Sequence, residues 1–131
     1  IAVKARQEKT KPELFKEVDE TVFWELEFPG GFTATGKSSY NNSWGYLRVE
    51  AEHGKFGLEP AYGYPPIEGY TSAGPVTYPQ TVPQADHMDD FTECIWNNKQ
   101  SRVPGEEGLK DMKVVDAIYR SLASGKKERI V

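Results

Sequence analysis

The stretch between Pro104 and Gly125 has the strongest periodic pattern in the sequence and constrains the fold most. Apolar residues recur there every three or four positions, which is the spacing of one face of an α-helix: Leu109, Met112, Val115, Ile118, Tyr119 and Leu122. Acidic residues open the stretch and Gly125 closes it, as the helix dipole and a left-handed C-cap favour. The pattern predicts a helix from Glu106 to Ala123 whose apolar face covers another layer.

A second amphipathic stretch predicts a helix from Ala85 to Asn98. One broad stripe of it carries the apolar residues Met88, Phe91, Cys94, Ile95 and Trp96. Aspartates fill its amino-terminal half, where the helix dipole favours negative charge. We therefore expect this helix to cover a sheet face as well.

The first half of the chain has the two-residue alternation of β-strands. Strands are predicted at Ile1 to Glu8, Thr21 to Phe28, Phe32 to Tyr40, Tyr46 to Glu52, Lys55 to Glu59 and Gly69 to Ala73. Turn signals at Gly30-Gly31 and His53-Gly54 make these strands successive hairpins, so the sheet is antiparallel. Gly74 to Pro83, with its three prolines, is predicted as a loop.

These elements predict an α+β domain: an open-faced antiparallel sheet of five or more strands in meander order, with both helices on one face. A carbohydrate-binding β-sandwich remains the alternative, because the chain is rich in aromatic residues. A sandwich needs strands as its second layer, however, and two consecutive helices count against it.

The bulk properties exclude several classes of function. A chain of 131 residues predicts one domain, and a formal net charge of −4 argues against nucleic-acid and anionic membrane partners. The basic tail Lys126 to Arg129 is interpreted as a solvated terminus. One cysteine excludes an internal disulfide, and no Cys and His residues have metal-ligand spacing. No apolar run has the length of a membrane span.

Other candidate residues have sufficient structural explanations. Cys94 is predicted to be a small core residue, and His53 a turn residue. The acidic group Asp86, Asp89, Asp90 and Glu93 suits the start of a helix. The glycines at 30–31 and at 105 and 108 lack the strand-to-helix context of a dinucleotide site. We therefore predict no catalytic, cofactor-binding or metal-binding residue in the chain.

Several segments resemble the Gfo/Idh/MocA family of NAD(P)-dependent sugar and inositol dehydrogenases, and most closely its glucose-fructose oxidoreductase branch. Gly105 to Ser121 is similar to the closing helix of that family, while Phe15 to Glu20 and Ser38 to Tyr40 resemble the flanks of its hairpin. Glu59 to Tyr64 resembles a segment that reads acidic-Pro-Ala-x-Gly-Tyr, and Pro65-Pro66 departs from the pattern of the branch.

The resemblance implies a C-terminal substrate-binding and oligomerisation domain like that of glyceraldehyde-3-phosphate dehydrogenase. The start on strand-like residues without a methionine predicts a fragment whose N-terminal Rossmann domain is absent. The parent protein would then transfer hydride between NAD(P) and a CH-OH group of a sugar or polyol. The family's catalytic lysine lies in a Glu-Lys-Pro motif, but Thr10 follows Lys9 here, so Lys9 is assigned to a solvated loop. The isolated fragment is expected to be inactive and to bind no NAD(P).

The resemblance also implies one substrate residue and several partners. Tyr64 is the candidate substrate-binding residue, with an edge tyrosine in a proline-rich loop as the structural alternative. The expected partners are the protein's own Rossmann domain, a sugar substrate and a second copy of the chain. The copy would form a homodimer, or a higher homo-oligomer, through the open sheet face around Phe23 and Thr35. Nucleic acid and membrane partners are not expected, and the compartment stays open between cytoplasm and periplasm.

Overall fold

The computed structural model describes residues 1–64 and 66–131. The elements in chain order are β1 (Ala2–Glu8), β2 (Thr21–Glu27), β3 (Thr33–Ser39), β4 (Leu47–Ala51), β5 (Gly54–Leu58), β6 (Gly69–Thr71), β7 (Gly74–Val76), α1 (Pro83–Trp96), α2 (Gly105–Ser124) and β8 (Glu128–Arg129). They form two compact units. The first unit comprises Ile1–Ser43 and Val103–Val131, and the second comprises Trp44–Arg102. Pro65, where the sequence departs from the pattern of the branch, lies outside the described residues.

The first unit is an antiparallel sheet in the order β3-β2-β1-β8, with α2 packed on β1 and β8. Alternate residues of β1 and β2 point to the helix, and the buried cluster consists of Val3, Ala5, Val22, Ala117 and Ile118. Trp24, Leu26, Val114, Leu122 and Ile130 pack around that cluster. The opposite face of the sheet carries the intervening side chains and is not covered by α2.

Small residues bring α2 close to β1. The side chain of Ser121 is fully buried, and its hydroxyl accepts a hydrogen bond from the Ala5 N–H at 2.9 Å and donates one to the Lys126 carbonyl at 2.6 Å. Ala117 is also fully buried, one turn earlier on the same face. Gly125 ends the helix in the left-handed conformation, with φ 64°, as predicted.

The predicted apolar stripe of α2 is correct only in its carboxyl-terminal half. Ile118 and Leu122 contact the core, but Leu109 and Met112 are 59% and 60% exposed. Tyr119 is exposed too, and its hydroxyl donates to the Asp19 carboxylate at 2.6 Å. That hydrogen bond raises the pKa of Tyr119. The residues of α2 that are buried are those near β1, and hydrophobic periodicity alone does not show where along the helix that contact lies.

The second unit is an antiparallel meander in the order β4-β5-β6-β7, followed by α1. Gly57 on β5 admits the ring of Tyr70, because a Cβ built at Gly57 would lie 2.6 Å from the Tyr70 hydroxyl oxygen. No residue of α1 is buried. Met88, Phe91, Ile95 and Trp96, which were predicted to cover a sheet face, are all more than half exposed.

The α+β class and the antiparallel pairing are confirmed, but three details of the prediction are wrong. The strands form two four-stranded sheets instead of one meander: β1 lies between β2 and the late strand β8 in the first sheet, and β4 to β7 pair only with one another in the second. The predicted loop from Gly74 to Pro83 contains β7, an edge strand that tolerates Pro75. The basic tail is not a free solvated terminus, since Glu128 and Arg129 pair with Val3 and Ala2.

No helix in the described part of the chain is both long and apolar enough to cross a bilayer.

Candidate functional site

Tyr64 lies in the connection between β5 and β6, which we call the 59–68 loop. Backbone hydrogen bonds close the base of this loop: the Glu59 N–H donates to the Glu68 carbonyl at 2.8 Å, and the Glu68 N–H donates to the Pro60 carbonyl at 3.3 Å. Ala61 is buried, and its N–H donates to the Gly45 carbonyl at 2.7 Å. The loop is therefore tied down at its base.

The tip of the loop presents two aromatic side chains to solvent. Tyr62 is 72% exposed and Tyr64 is 79% exposed. Neither phenol has a hydrogen-bond partner among residues 1–64 and 66–131. A phenol can donate to or accept from a hydroxyl group, and its ring offers an apolar face. These are the properties that suit a polyhydroxylated ligand, but the role of Tyr64 stays a prediction.

The loop begins at a carboxylate held by an arginine. The Arg48 guanidinium donates to both oxygens of Glu59, with Nη2 to Oε1 at 2.6 Å and Nε to Oε2 at 3.1 Å. This hydrogen bonding raises the pKa of Arg48 and lowers the pKa of Glu59. The guanidinium also lies over the Tyr46 ring, 4.2 Å from its centroid.

Side chains from the strand-to-helix connection hold the other end of the loop. The Tyr78 hydroxyl donates to the Ile67 carbonyl, and the Gln80 side chain lies 3.4 Å from both the N–H nitrogen and the carbonyl oxygen of Ile67. The sequence pattern gave no sign of these contacts, because the region from Gly74 to Pro83 was predicted as an unstructured connection.

A second polar cluster, in the first unit, is centred on Glu20. This side chain is 1% exposed, and its carboxylate accepts from the Thr10 hydroxyl at 2.6 Å, the Thr10 N–H at 2.7 Å, the Lys11 N–H at 2.9 Å and the Asn41 amide at 3.1 Å. The hydrogen bond from the Thr10 hydroxyl is the largest cause of the lowered pKa of Glu20. Since four donors occupy the carboxylate, it holds the 9–19 segment against β2 and β3 and leaves little room for a ligand.

In the described part of the chain, the residues weighed as alternatives add no side-chain hydrogen bond to these clusters. Lys9 is exposed, and its ammonium donates to the Phe15 carbonyl at 2.7 Å. His53 is exposed in the β4–β5 turn. Cys94 is half-buried and is not part of the core, so the prediction that it is a core residue is wrong. Within the described ranges no group of His, Cys, Asp and Glu has the arrangement of a metal site.

The acidic residues of α1 line an open depression. Its walls carry Asp86, His87, Asp89, Asp90, Glu93 and Arg102. Arg102 makes an ion pair with Asp90 at 2.8 Å. Asp86 lies in the first turn of α1, where the helix dipole favours negative charge, and Asp90 is paired with Arg102, so neither needs a ligand to explain it.

The glycines do not fit the phosphates of a dinucleotide. Gly30 and Gly31, with φ of 87° and 85°, form the turn between the antiparallel strands β2 and β3. Gly105 is the first residue of α2. A pyrophosphate cradle instead joins a strand to a helix within a parallel βαβ unit, and every strand pair among the described residues is antiparallel. No step of cofactor chemistry is therefore assigned to these residues.

No protein-family profile matches the chain. A curated relative is D-xylose 1-dehydrogenase (NADP(+)) 2 of Haloferax volcanii, which is 28% identical over 116 residues, covering 82% of this chain and 36% of the relative. Among solved structures, the aldose-aldose oxidoreductase from Caulobacter crescentus complexed with glycerol matches with a TM-score of 0.89 and 31% identity. That match covers 98% of this chain and 41% of the oxidoreductase.

The chain thus spans about two fifths of the length of these two proteins. The match to the solved structure includes residues of both units, since it covers 98% of this chain. Neither protein is named as a glucose-fructose oxidoreductase, and the assignment to that branch stays a prediction. The two matches, together with the fold, identify the chain as a C-terminal domain of the Gfo/Idh/MocA oxidoreductase family.

Proposed function

We propose that this chain is the substrate-side domain of an NAD(P)-dependent oxidoreductase that acts on a CH-OH group of a sugar or polyol. The match to the aldose-aldose oxidoreductase over 98% of the chain carries the proposal. The name of the xylose dehydrogenase relative, which specifies NADP(+), favours NADP in the full-length protein. Cofactor binding and hydride transfer then belong to the part of the protein that lies outside this chain.

The proposed contribution of this domain to the substrate pocket is the tip of the 59–68 loop. Tyr64 would orient a sugar hydroxyl by hydrogen bonding, and the exposed ring of Tyr62 offers an apolar face next to it. The support for this role is the fixed base of the loop combined with two phenols that lack partners among the described residues. A pocket needs few polar groups if each is well placed.

The second proposed contribution is subunit association through the face of the first sheet that lies opposite α2. This face carries Phe23 with the Arg6 guanidinium 3.9 Å from its ring centroid, and exposed Glu25 and Thr35 opposite each other in register. Charges of both signs lie on the same flat surface. A two-fold axis sets this face against its own copy, and a face with charges of both signs can then pair opposite charges across the contact.

A turnover screen of the full-length protein tests the activity. Purified enzyme is assayed for sugar-dependent reduction of NADP and of NAD with aldoses such as D-xylose and D-glucose, and with polyols. We expect turnover with at least one aldose and a preference for NADP. Absence of turnover with every sugar and polyol, together with sugar binding by this domain alone, would instead favour a carbohydrate-binding module without enzymatic activity.

A further inference from the structure

We infer that Arg48 is a positioning residue that holds the 59–68 loop in the geometry in which its tyrosines meet the sugar. The inference rests on the proposed function and adds a residue that lies outside the loop. Arg48 lies on β4, opposite Gly57 of β5, and Glu59 is two residues beyond Gly57. Diagonal pairs of this kind project from the same face of a sheet, so Arg48 is within reach of the loop's first residue.

The geometry of the contact between Arg48 and Glu59 is more constrained than that of an ordinary surface ion pair. Two separate nitrogens of the planar guanidinium donate to two oxygens of Glu59, which fixes the carboxylate in both position and orientation. The Tyr46 ring lies against the guanidinium at 4.2 Å and limits its movement. The Arg48 side chain is 55% exposed, so the pair adds little to folding stability. Its geometry suits orientation more than stabilisation.

The position of Glu59 explains how this orientation reaches the tyrosines. Glu59 is the first residue after β5, and its N–H closes the loop onto Glu68. Tyr62 and Tyr64 follow three and five residues later, with Ala61 tethered to Gly45 between them and Glu59. A change in the side-chain anchor at Glu59 therefore tilts the first segment of the loop. A displacement of about 1 Å at a substrate-positioning group is enough to weaken productive binding severely.

The test compares Arg48→Met with Arg102→Met in the full-length enzyme. Methionine keeps the apolar stem of the arginine and removes its donors. Arg102 is the matched control, because it makes an exposed ion pair with Asp90 in the same unit and does not touch the loop. We expect Arg48→Met to raise the KM for the sugar about tenfold, with kcat, the KM for the nucleotide and the melting temperature little changed. Arg102→Met should leave all four quantities unchanged.

Two further measurements separate positioning from a general structural effect. Glu59→Met, which removes both acceptor oxygens, should raise the sugar KM as Arg48→Met does, and the double variant should raise it no further, because both changes remove the same interaction. Amide hydrogen exchange at Ala61, whose N–H donates to the Gly45 carbonyl, should accelerate in full-length Arg48→Met and not in Arg102→Met. Additive effects in the double variant, or unchanged exchange at Ala61, would overturn the inference. A wild-type enzyme without sugar turnover would refute the proposed function, whereas an active wild type with an unchanged KM in Arg48→Met would refute only the positioning role.

Discussion

At the scale of single residues, Glu20 is a carboxylate that is buried in the fold although it belongs to an acidic segment of the sequence. Nothing in the run Glu17 to Glu20 distinguishes the buried Glu20 from the exposed Glu17 or the half-buried Asp19. The donors come from Thr10, Lys11 and Asn41, which are distant along the chain. Such a site is set by tertiary contacts, so sequence reasoning could not find it.

Stability should depend on pH through Glu20. Hydrogen bonds to the charged form lower the folded-state pKa of Glu20. The group therefore stabilises the fold above the unfolded-state pKa of about 4.3, and this contribution disappears as the pH falls through the lower folded-state pKa. Glu20→Gln should lower the urea midpoint at pH 7, and the difference from the wild type should shrink in strongly acidic buffer. Glu13→Gln, an exposed control in the same segment, should have little effect at either pH, and a constant difference for Glu20→Gln would contradict this explanation.

At the scale of elements, periodicity predicted both helices and most strands to within a few residues. The pattern could not show which side of a helix finds a partner. The α1 stripe remains exposed, and the buried face of α2 is centred on Ala117, Ile118 and Ser121. Alanine and serine contribute little to a hydrophobic pattern, so this pattern does not identify them as buried. Small residues four positions apart nevertheless lie on the same face of a helix, and such a face can pack closely against a sheet. The short strand β8 was missed because its two residues, Glu128 and Arg129, are both charged.

The burial pattern of α2 predicts unequal effects for two residues on its apolar stripe. Ile118→Ala should lower the free energy of unfolding by about 2 to 5 kcal/mol, because it leaves a cavity against the first sheet. Leu109→Ala should cost less than about 1 kcal/mol, since Leu109 is 59% exposed. Lys113→Ala, on the exposed surface of the helix, is the control and should change the free energy of unfolding by no more than roughly 0.5 kcal/mol. Chemical denaturation measures all three, and equal losses for Ile118 and Leu109 would show that the helix is packed in a different phase.

At the scale of the whole molecule, the open face of the first sheet is the proposed dimer surface. A homodimer of the standard kind buries on the order of 1,200 Å² or more in total. Light scattering at micromolar concentration should therefore give about twice the mass of the full-length chain. Thr35→Arg should reduce the measured mass to that of a single chain. Thr35 is exposed on β3 opposite Glu25 of β2, and an arginine there places a long charged side chain within the contact. Thr92→Arg on α1, which belongs to the second unit, is the control, and a dimer that survives Thr35→Arg would exclude the open face as the interface.

The assignment of substrate contact to this domain is tested most directly by the kinetics of Tyr64→Phe in the full-length enzyme. Phenylalanine keeps the ring and removes only the hydroxyl, so folding should be unaffected. Tyr40→Phe is the matched control, because Tyr40 is 77% exposed and belongs to the first unit, whereas the 59–68 loop belongs to the second. We predict that Tyr64→Phe lowers kcat/KM for the sugar about tenfold or more, while Tyr40→Phe leaves it unchanged. Equal kcat/KM values for Tyr64→Phe, Tyr40→Phe and the wild type would contradict the assignment.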